Sequence, residues 1–548
     1  MSSKFKDMFK KGISSDDCRS RREQTTVALR KEKKEEGLAK RRNMMVDNFM
    51  EKNSENSENG ATSSSSGTTG NSKQAYSVAD IPSLLKLASS VDIAEQVAGI
   101  RGFRRLLSCE KSPPVQECVS SGAIPYFVSF LQREDCTDLQ FEAAWALTNI
   151  ASTNYTKLIV ECGSVPHLTK LLTSAVPDIR EQAAWCLGNV AGDGPELRNF
   201  VLNSGALQPL VMNVMQPASL SLMRNCVWAL SNFCRGKPQP SLDVIKEALP
   251  ALRHVVQSSN DQETIIDATW ALSYISDGDN GRIQSVVDLG IIPSLIQMLL
   301  SGQGPIIVPA LRTLGNIVSG SNSQTQAVID CNALSALVQL LSNTKKNIRK
   351  ESCWMLSNIA AGSPEQLTLL MSTPGLVSRV LEQLSASAEW DVRREAAWVV
   401  SNISTSGSKA NIAQLVEFGA IRPLCELLDV HEVKIIQLAM ESLQSILKVM
   451  KSDILISEKI IALVEEAEGI DKLEALQEHE NEDVYNKAVQ IIEQFFGGDE
   501  GAESENLLPL SNGSSYTFGF GDTVTGNAKL DFGANNPFIQ QPFTFTMN

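Results

Sequence analysis

The sequence has few of the residues that usually carry catalysis. It contains only four histidines in 548 residues, and they are far apart in the chain. No phosphate-binding Gly-rich loop, no Ser-His-Asp set and no metal-ligand spacing accompanies them. Isolated histidines are more often structural than catalytic. The sequence therefore argues against an enzyme, a resident metal or a cofactor. The histidines are His167, His254, His431 and His479.

Disulfide and membrane signals are also missing. The eleven cysteines are an odd number, contain no CxxC pair and mostly lie in apolar helical stretches such as Trp185-Cys186-Leu187. This usage is typical of small buried hydrophobes in a reducing compartment. No uninterrupted apolar run is long enough to span a bilayer, and Met1–Gly12 is basic without a following apolar region. We therefore expect a soluble, intracellular protein without a signal peptide.

Charge is unevenly distributed along the chain. The formal net charge is −14, yet residues 1–52 contain 15 Lys and Arg against 9 Asp and Glu. A basic arm therefore precedes an acidic body. Such an arm suits nucleic acid, a membrane surface or an acidic protein, including its own body. Because nine acids interrupt its bases, the arm is poorly suited to follow a phosphate backbone.

Composition divides the chain into four segments. Residues 1–52 are predicted to form a charged helical arm, and 53–74 form a flexible Ser/Gly/Asn linker. Residues 75–497 carry nearly all the apolar mass. Residues 498–548 begin acidic, continue with Phe and Gly, and are predicted to be a disordered tail.

A Trp-x-x-x-Asn pair recurs at intervals of 40 to 44 residues. Two degenerate copies, Trp270/Tyr274 and Arg312/Asn316, occupy the gap in the series, and Glu441/Ser445 continues it. One further step in each direction gives about ten repeats. The intact pairs are Trp145/Asn149, Trp185/Asn189, Trp228/Asn232, Trp354/Asn358 and Trp398/Asn402.

A second marker, Gly followed by Pro three or four residues later, runs in phase with the first. Gly163 and Pro166 are one example. The Gly ends one short helix and the Pro lies in the first turn of the next. The predicted helices of that repeat are 156–161, 165–172 and 177–191. Three helices in about 42 residues predict an all-α, right-handed superhelical armadillo-repeat solenoid with a long concave groove.

The Trp and Asn of each pair lie one turn apart on the same helical face. A purely structural role would bury the Trp and use the Asn for a backbone group, but five copies in register favour a ligand. An Asn amide can hold an extended peptide backbone, and parallel indoles form slots for Lys stems. Asp193 and Glu395 would select the ammonium. The predicted ligand is an extended Lys/Arg-rich peptide.

The series is interrupted in its middle, at Tyr274 and Arg312. The interruption divides the groove into one site over repeats 2–4 and another over repeats 7–8. Arg312 is expected to disfavour a cationic ligand between them. Two basic clusters joined by a spacer would suit this arrangement, with the avidity that linkage gives.

Taken together, these features resemble the importin-α family over nearly the whole chain. The arm segments Arg21-Arg22-Glu23 and Lys40-Arg41-Arg42-Asn43 resemble the family's importin-β-binding segment. The run from Trp185 to Asp193 resembles the centre of its major cargo site, and Trp270 to Tyr274 its degenerate middle repeats.

The resemblance implies a nuclear-import adaptor that shuttles between cytoplasm and nucleus and passes the nuclear pore. It implies a major cargo site for basic localisation signals, a minor cargo site, and an arm that binds importin-β. Major-site residues are Trp145, Asn149, Thr156, Gln182, Trp185, Asn189, Asp193, Asn225, Trp228 and Asn232. Minor-site residues are Arg312, Asn316, Glu351, Trp354, Asn358, Glu395, Trp398 and Asn402. Arm residues are Arg19, Arg21, Arg22, Arg30, Lys31, Lys33, Lys34, Lys40, Arg41 and Arg42.

The resemblance also implies regulation and release. Without importin-β, Lys40, Arg41 and Arg42 would occupy the major site as a pseudo-cargo. Ran-GTP would release the cargo, and an export receptor would bind the cargo-free form partly through 474–494. Direct nucleic-acid or membrane binding is not implied.

Three departures from the family pattern carry expectations of their own. The loop before Thr156 is two residues shorter than usual, which bears on signal preference at the major site. Cys18 and Ser20 thin the first basic cluster of the arm, so we expect weaker importin-β binding. Ser445 stands where many members have Asn, which weakens the outer minor site.

One other class of armadillo protein remains an alternative. A catenin-like scaffold binds acidic partner tails through grooves lined with Lys and Arg. Here the repeats carry Trp, Asn and acids, which select a basic ligand instead. The Phe-Gly pairs near 518 and 532 are too few to give much avidity for the pore, so a merely soluble tail is favoured.

Overall fold

The computed structural model describes residues 76–109, 112–302, 304–451, 453–497, 510–511 and 516–517. The predicted arm 1–52, the linker 53–74 and most of the tail 498–548 lie outside the described residues. The repeat region is described almost completely.

Helices account for about three quarters of the described residues, and they fall into ten repeats. Repeats 2 to 10 show three helices each, as predicted, whereas the described part of repeat 1 shows two. The first helices of repeats 2 to 10 are Val115–Ser120, Thr156–Glu161, Pro195–Asn203, Leu242–Ile245, Asn280–Val287, Asn322–Ile329, Pro364–Ser372, Lys409–Glu417 and Ile454–Glu466. The second helices of repeats 1 to 10 are Ile81–Ala88, Ile124–Phe130, Ser164–Leu171, Leu207–Met215, Leu249–Ser258, Ile292–Leu300, Ala333–Leu340, Leu376–Leu384, Ile421–Glu426 and Gly469–Ala475.

The third helices are the longest in most repeats. They are Ile93–Leu107, Thr137–Ala151, Pro177–Asp193, Leu220–Cys234, Gln262–Ile275, Gly304–Ile317, Lys346–Ala360, Trp390–Ser406, Val433–Met450 and Glu482–Phe495. Short 3₁₀ turns lie at Val78–Asp80, Lys246–Ala248, Leu427–Asp429 and Leu476–Glu478.

The third helices of repeats 1 to 9 pack in sequence, each against its neighbours, and form one continuous layer. Their apolar faces supply the core. In repeat 3, Ala184, Leu187 and Val190 are fully buried, as their spacing predicts. Each repeat thus covers the apolar face of the next, which is how a solenoid holds together.

The turn between first and second helix depends on a left-handed backbone conformation. Gly163 has φ +82° there, a value that costs glycine little because it lacks a Cβ. Asn332 takes the same place in repeat 7 with φ +63°. Asn tolerates this conformation better than most residues, so the turn survives the loss of the Gly marker.

Buried polar side chains join the first helices of successive repeats. The Gln324 Nε2 donates to the carbonyl of Asn280 at 3.0 Å, and the Gln366 Nε2 donates to that of Asn322 at 2.7 Å. The Arg282 guanidinium donates in the same way to the carbonyl of Pro240. These bonds run from a side chain of one repeat to a carbonyl at or just before the first helix of the preceding repeat, and they fix the stacking register.

The chain divides into two units. The first unit ends at Ile491, and its described residues are the repeats listed above. In the second unit, Leu510–Ser511 and Tyr516–Thr517 are two-residue antiparallel strands with Leu510 opposite Thr517. No single helix of the described residues is long and apolar enough to cross a membrane. The consecutive helices Asn280–Val287 and Ile292–Leu300 together have the length and composition of a span, but they are bent by 80° at the break between them.

Candidate functional site: the Trp–Asn face of the third helices

The five Trp–Asn pairs all lie on third helices, one turn apart within each pair, as predicted. We call the surface that carries them the ladder face. Three of the indoles, Trp145, Trp228 and Trp354, are buried, while Trp185 and Trp398 are half-buried. The ladder face therefore consists of residues that are largely covered rather than fully exposed.

The ladder asparagines join one repeat to the one before it. The Nδ2 of Asn189 donates to the carbonyl of Thr148, and that of Asn232 donates to the carbonyl of Gly188, both at 3.0 Å. Asn316 and Asn402 make the equivalent bond to Ser273 and Ser357. In these four bonds the acceptor is the residue directly before the Asn position of the preceding repeat.

Asn149 is the exception, because its Nδ2 donates at 3.0 Å to the Oγ of Ser108. The structural role that the sequence analysis set aside is therefore present in the asparagines. An amide has two N–H donors and an oxygen, so this bond does not use up its capacity.

Where the residue directly before a ladder Asn is glycine, it also supports the indole of the next repeat. A Cβ on Gly188 would lie 2.5 Å from Cζ3 of Trp228, and one on Gly315 would lie 2.1 Å from Cζ3 of Trp354. The indoles thus rest directly on helix backbone, which only glycine permits at that distance. The other intact Trp–Asn pairs carry Ser or Thr at this position, for example Thr148 and Ser357.

The Trp–Asn pairs of repeats 2–4 form the first cluster of the ladder face, and those of repeats 7–8 form the second. The first cluster begins with an Arg–Glu–Trp unit. The Nε atoms of Arg101 and Arg104 each donate at 2.8 Å to an oxygen of Glu142, which is three residues before Trp145. The guanidinium of Arg104 lies 4.3 Å from the centroid of Trp145. One face of Trp145 is therefore occupied by a cation of the protein itself.

The second cluster begins with the same kind of unit. The Nη2 of Arg312 lies 2.5 Å from Oε1 of Glu351, three residues before Trp354, and its guanidinium lies 5.2 Å from the centroid of Trp354. Both charged side chains are almost completely buried. The positive charge of Arg312, which was expected to repel a cationic ligand, is therefore compensated within the protein.

The other predicted major-site residues have different surroundings. Gln182 and Asn225 are buried three residues before Trp185 and Trp228, and the Asn225 Nδ2 donates at 3.0 Å to Oε1 of Glu181. Asp193 is exposed and is the last residue of its helix. The sequence had ended this helix at Ala191, two residues too early.

Thr156 is fully buried and is used by the loop that precedes it. Its Oγ1 donates to the carbonyls of Ala151 at 3.0 Å and Thr153 at 2.9 Å. These bonds hold the loop 152–155 against the end of the third helix of repeat 2. Thr156 therefore has a structural role beside the predicted major site.

The predicted minor-site residues lie on three successive third helices. Glu395 is buried three residues before Trp398, as Glu351 is before Trp354. Asn358 and Asn402 are buried one turn after their tryptophans. The predicted arm residues, including Lys40, Arg41 and Arg42, lie outside the described residues. Among the residues that the structure does describe, no group of three or more His, Cys, Asp or Glu is placed to hold a metal ion.

Sequence reasoning missed three residues of the ladder face. Arg104 was not singled out because its partners, Glu142 and Trp145, lie about 40 residues away. Gly188 carries a signal that was available, a glycine in the middle of a helix directly before a ladder Asn. Glu181 also had one, since Glu181, Trp185 and Asn189 follow each other at intervals of four and share a helical face.

Family comparisons agree with this architecture. A model described as the importin beta binding domain matches residues 4–101. A model described as the armadillo/beta-catenin-like repeat matches 111–152, 152–192, 237–277, 279–319 and 321–361. One described as an atypical Arm repeat matches 458–510.

Comparison with single proteins points to one family. Importin subunit alpha-2 of Arabidopsis thaliana is 44% identical over 520 residues, 94% of each chain. Importin subunit alpha-1b of Oryza sativa subsp. japonica is 41% identical, over 81% of this chain and 83% of its own. The crystal structure of an engineered protein, 28% identical, superposes with a TM-score of 0.69 over 76% of this chain and 99% of its own. With its arm match, its ten repeats and these relatives, the chain belongs to the importin-α family.

Proposed function

We propose that the ladder face is the cargo-binding groove of a nuclear-import adaptor. As a member of the importin-α family, the chain links cargo to importin-β, and the matched importin beta binding domain is the part that makes this link. The Trp–Asn pairs bind a basic localisation signal, with repeats 2–4 as the major site and repeats 7–8 as the minor site. A catenin-like scaffold is not favoured, because the relatives are importin-α subunits.

The observation that carries this proposal is the repeated geometry of the ladder face. Three indoles recur on the adjoining third helices of repeats 2–4 and two on those of repeats 7–8, each with an Asn one turn away. An extended peptide advances about 3.3 Å per residue, so a regular row of slots and amides suits it better than a folded ligand. Half-buried Trp185 and Trp398 present the aromatic surface that a Lys stem can cover.

Charge supports the same ligand. The chain outside the arm carries 54 Asp and Glu against 34 Lys and Arg, and exposed Asp193 lies eight residues beyond Trp185. An acidic groove attracts a basic segment and speeds its association. The arm provides such a segment within the chain. We infer that Lys40, Arg41 and Arg42 compete with cargo for the major site until importin-β binds the arm.

Family membership also suggests how the cargo complex is taken apart and how the adaptor is recycled. Ran-GTP removes importin-β, and an export receptor returns the cargo-free adaptor to the cytoplasm. The protein therefore shuttles between cytoplasm and nucleus and passes the pore as part of a complex.

A peptide titration tests the proposal. A fluorescent Lys-rich peptide is titrated into the full chain and into a full-length variant with Lys40→Ala, Arg41→Ala and Arg42→Ala, and anisotropy is followed. We expect tighter binding to the variant, and addition of importin-β to the unmodified chain to raise affinity to the same level. Equal, tight binding to both proteins would keep the groove and remove autoinhibition. An absence of binding to either would overturn the groove itself.

A further inference from the structure

An irregular segment follows the third helix of repeat 4, and we call its residues 235–241 the strap. It separates that helix, Leu220–Cys234, from the single-turn first helix of repeat 5, Leu242–Ile245. The corresponding connections after repeats 5 to 9 are at most four residues long. The strap is therefore longer than a connection between two repeats needs to be.

The first helix of repeat 4 holds the strap from one side. Arg198 on that helix is fully buried, and its Nη1 donates to the carbonyls of Arg235 at 2.6 Å and Gly236 at 3.2 Å. Its Nη2 donates to the carbonyl of Pro238 at 2.7 Å. One guanidinium thus fixes three carbonyls of the strap within four residues.

Repeats 5 and 6 hold the strap from the other side. The Nε2 of Gln239 donates to the carbonyls of Tyr274, at 2.9 Å, and of Asp277, at and just beyond the end of the third helix of repeat 5. Arg282, buried on the first helix of repeat 6, donates through its Nη2 to the carbonyl of Pro240. The strap is therefore bonded to repeats 4, 5 and 6.

The side chains that hold the strap are closely packed. A Cβ on Gly278 would lie 2.6 Å from Cδ of Arg282 and 3.1 Å from Oε1 of Gln239. Burial, and to a smaller extent the charge of Arg282, lowers the pKa of Arg198. Within the described part of the chain neither arginine is paired with an acid, so carbonyls of the strap are the main partners of two buried cations. Separating the strap from them would leave buried charge without a partner, which is costly.

A segment held by three repeats is unusual in a solenoid, because each repeat normally contacts only its neighbours. The bonds from Gln324 to Asn280 and from Gln366 to Asn322 follow that rule, since each joins two adjacent first helices. Small rotations at successive junctions of such an array add up. The strap joins repeats 4 and 6 through one short segment, so the two junctions between them cannot rotate independently. This block extends from the end of the first cluster to the repeat directly before the second.

We propose that the strap fixes the distance between the two clusters of the ladder face, with Arg198, Gln239 and Arg282 as positioning residues, and so determines which spacer lengths a ligand with two basic clusters can have. The proposal rests on the proposed cargo groove. A linked ligand gains most when its linker matches the span between its sites, so a rigid span gives a sharp optimum. A flexible span would accept a wider range of linkers with a lower maximum.

Gln239→Ala tests this role with little risk to the fold, because Gln239 is only half-buried. The substitution removes both bonds between the strap and repeat 5. Gln324→Ala is the matched control, since Gln324 lies at the junction of repeats 6 and 7 and its Nε2 also makes two bonds, both to the adjacent repeat. Thermal unfolding checks that each variant is folded.

The first experiment measures affinity against spacer length. Labelled peptides with two Lys-rich clusters, joined by Gly-Ser spacers of increasing length, are titrated into a reference protein and both variants, and anisotropy is followed. All three proteins are full-length and carry Ala in place of Lys40, Arg41 and Arg42, so that the arm does not compete. We expect a narrow optimum in the reference protein and in Gln324→Ala. Gln239→Ala should lower this maximum about fivefold and flatten the profile, because the effective concentration of the second cluster falls. A peptide with one cluster should bind all three equally.

A double-mutant cycle tests the coupling without any ligand. Arg198→Lys and Arg282→Lys keep the charge and remove the planar fork that holds the carbonyls. Native-state hydrogen exchange reports the opening of repeat 5 in each variant. Independent junctions would make the two effects additive. A shared strap should make the double variant open about fivefold less readily than additivity predicts, since the first substitution already loosens the segment.

The outcomes are distinguishable. Identical spacer profiles in Gln239→Ala and the reference protein, or an additive cycle, would overturn the proposal while the groove stands. Equal flattening in Gln324→Ala would overturn it too, because any bond between repeats would then suffice. Weaker binding of every peptide, including the one with a single cluster, would indicate a general defect and also contradict it. If no spacer length binds better than a single cluster, the two-site groove itself is wrong, and the cycle alone decides whether the strap joins repeats 4 and 6.

Discussion

The two clusters of the ladder face begin alike and continue differently. Each starts with an Arg–Glu–Trp unit, Arg104–Glu142–Trp145 in one and Arg312–Glu351–Trp354 in the other. After that start, repeats 3 and 4 carry amides three residues before the Trp, Gln182 and Asn225, whereas repeat 8 carries Glu395. The first cluster instead has its acid one turn before the Trp, at Glu181.

The difference teaches that an acid on the ladder face is not always available to a ligand. Glu142 and Glu351 are each paired with arginines of the protein, so their main role is to hold successive repeats together. Under the proposed function, the acids that remain for a basic peptide are those that follow these units. The start of each cluster is therefore a boundary at which the acid is already neutralised by the protein.

The largest expected effect is on stability at these boundaries. Glu142→Gln leaves Arg101 and Arg104 without their shared anion, and breaking a buried pair of this kind costs about 3 kcal/mol. Glu351→Gln frees only Arg312, so we expect a smaller loss, about 2 kcal/mol. Native-state hydrogen exchange of the adjoining third helices measures both. A larger loss of stability in Glu351→Gln than in Glu142→Gln would show that pairing with two arginines, rather than one, does not make Glu142 more important.

Removing one indole from each cluster compares their binding. Trp185 and Trp398 are both half-buried, so Ala at either position should leave the fold intact. Trp185 borders two slots, and we expect its loss to weaken peptide binding about thirtyfold, the scale of an interface hot spot. Trp398→Ala should cost less than tenfold. Anisotropy with a single-cluster basic peptide tests this order, and a reversed order would make repeats 7–8 the tighter site.

A methyl group beneath an indole should disturb both clusters equally. Gly188→Ala and Gly315→Ala place a Cβ well inside contact distance of Trp228 and Trp354, and such overpacking costs about 1–3 kcal/mol, reduced by the better helix propensity of Ala. Tryptophan fluorescence and thermal unfolding report the shift. Gly194→Ala is the control, because its Cβ would meet open space. Unchanged unfolding in all three would mean that the indoles are free to move.

The smallest effect concerns the cysteines beside the tryptophans. Cys186 is fully buried next to Trp185, and burial raises the pKa of its thiol to about 12. Cys353, beside Trp354, is equally buried and its pKa is raised as well. At pH 8 both remain protonated, so alkylating reagents should spare them and react with exposed Cys109. Mass spectrometry of the labelled native protein checks this, and rapid labelling of Cys186 would contradict the packing.

The local parts of this structure were predictable from the sequence. The spacing of Trp185 and Asn189 identified the repeat and its ladder face, and the Gly163 and Pro166 marker located helix boundaries to within about two residues. These features depend on helical periodicity and turn chemistry, which act over a few residues.

The contacts between repeats were not predictable in the same way. The pairing of Arg104 with Glu142 and the bond from Asn232 to the carbonyl of Gly188 join residues about 40 positions apart. Which residues meet in such contacts depends on how neighbouring helices stack, and a local sequence pattern does not predict that. Arg312 illustrates the result, because its charge was visible in the sequence and its compensation by Glu351 was not.

The matching Arg–Glu–Trp units also give the solenoid an internal period. Arg101 in repeat 1 and Arg312 in repeat 6 hold equivalent positions, and each pairs with a Glu in the following repeat. The Arg that stacks on the Trp is Arg104 in the first unit and Arg312 in the second. The array can thus be described as two tandem blocks of five repeats with the same opening. A chain shortened by excising residues 102–312 would bring Arg101 into register with Glu351 and retain a single cluster. The five-repeat block, rather than the single repeat, is then the natural unit for lengthening or shortening the groove.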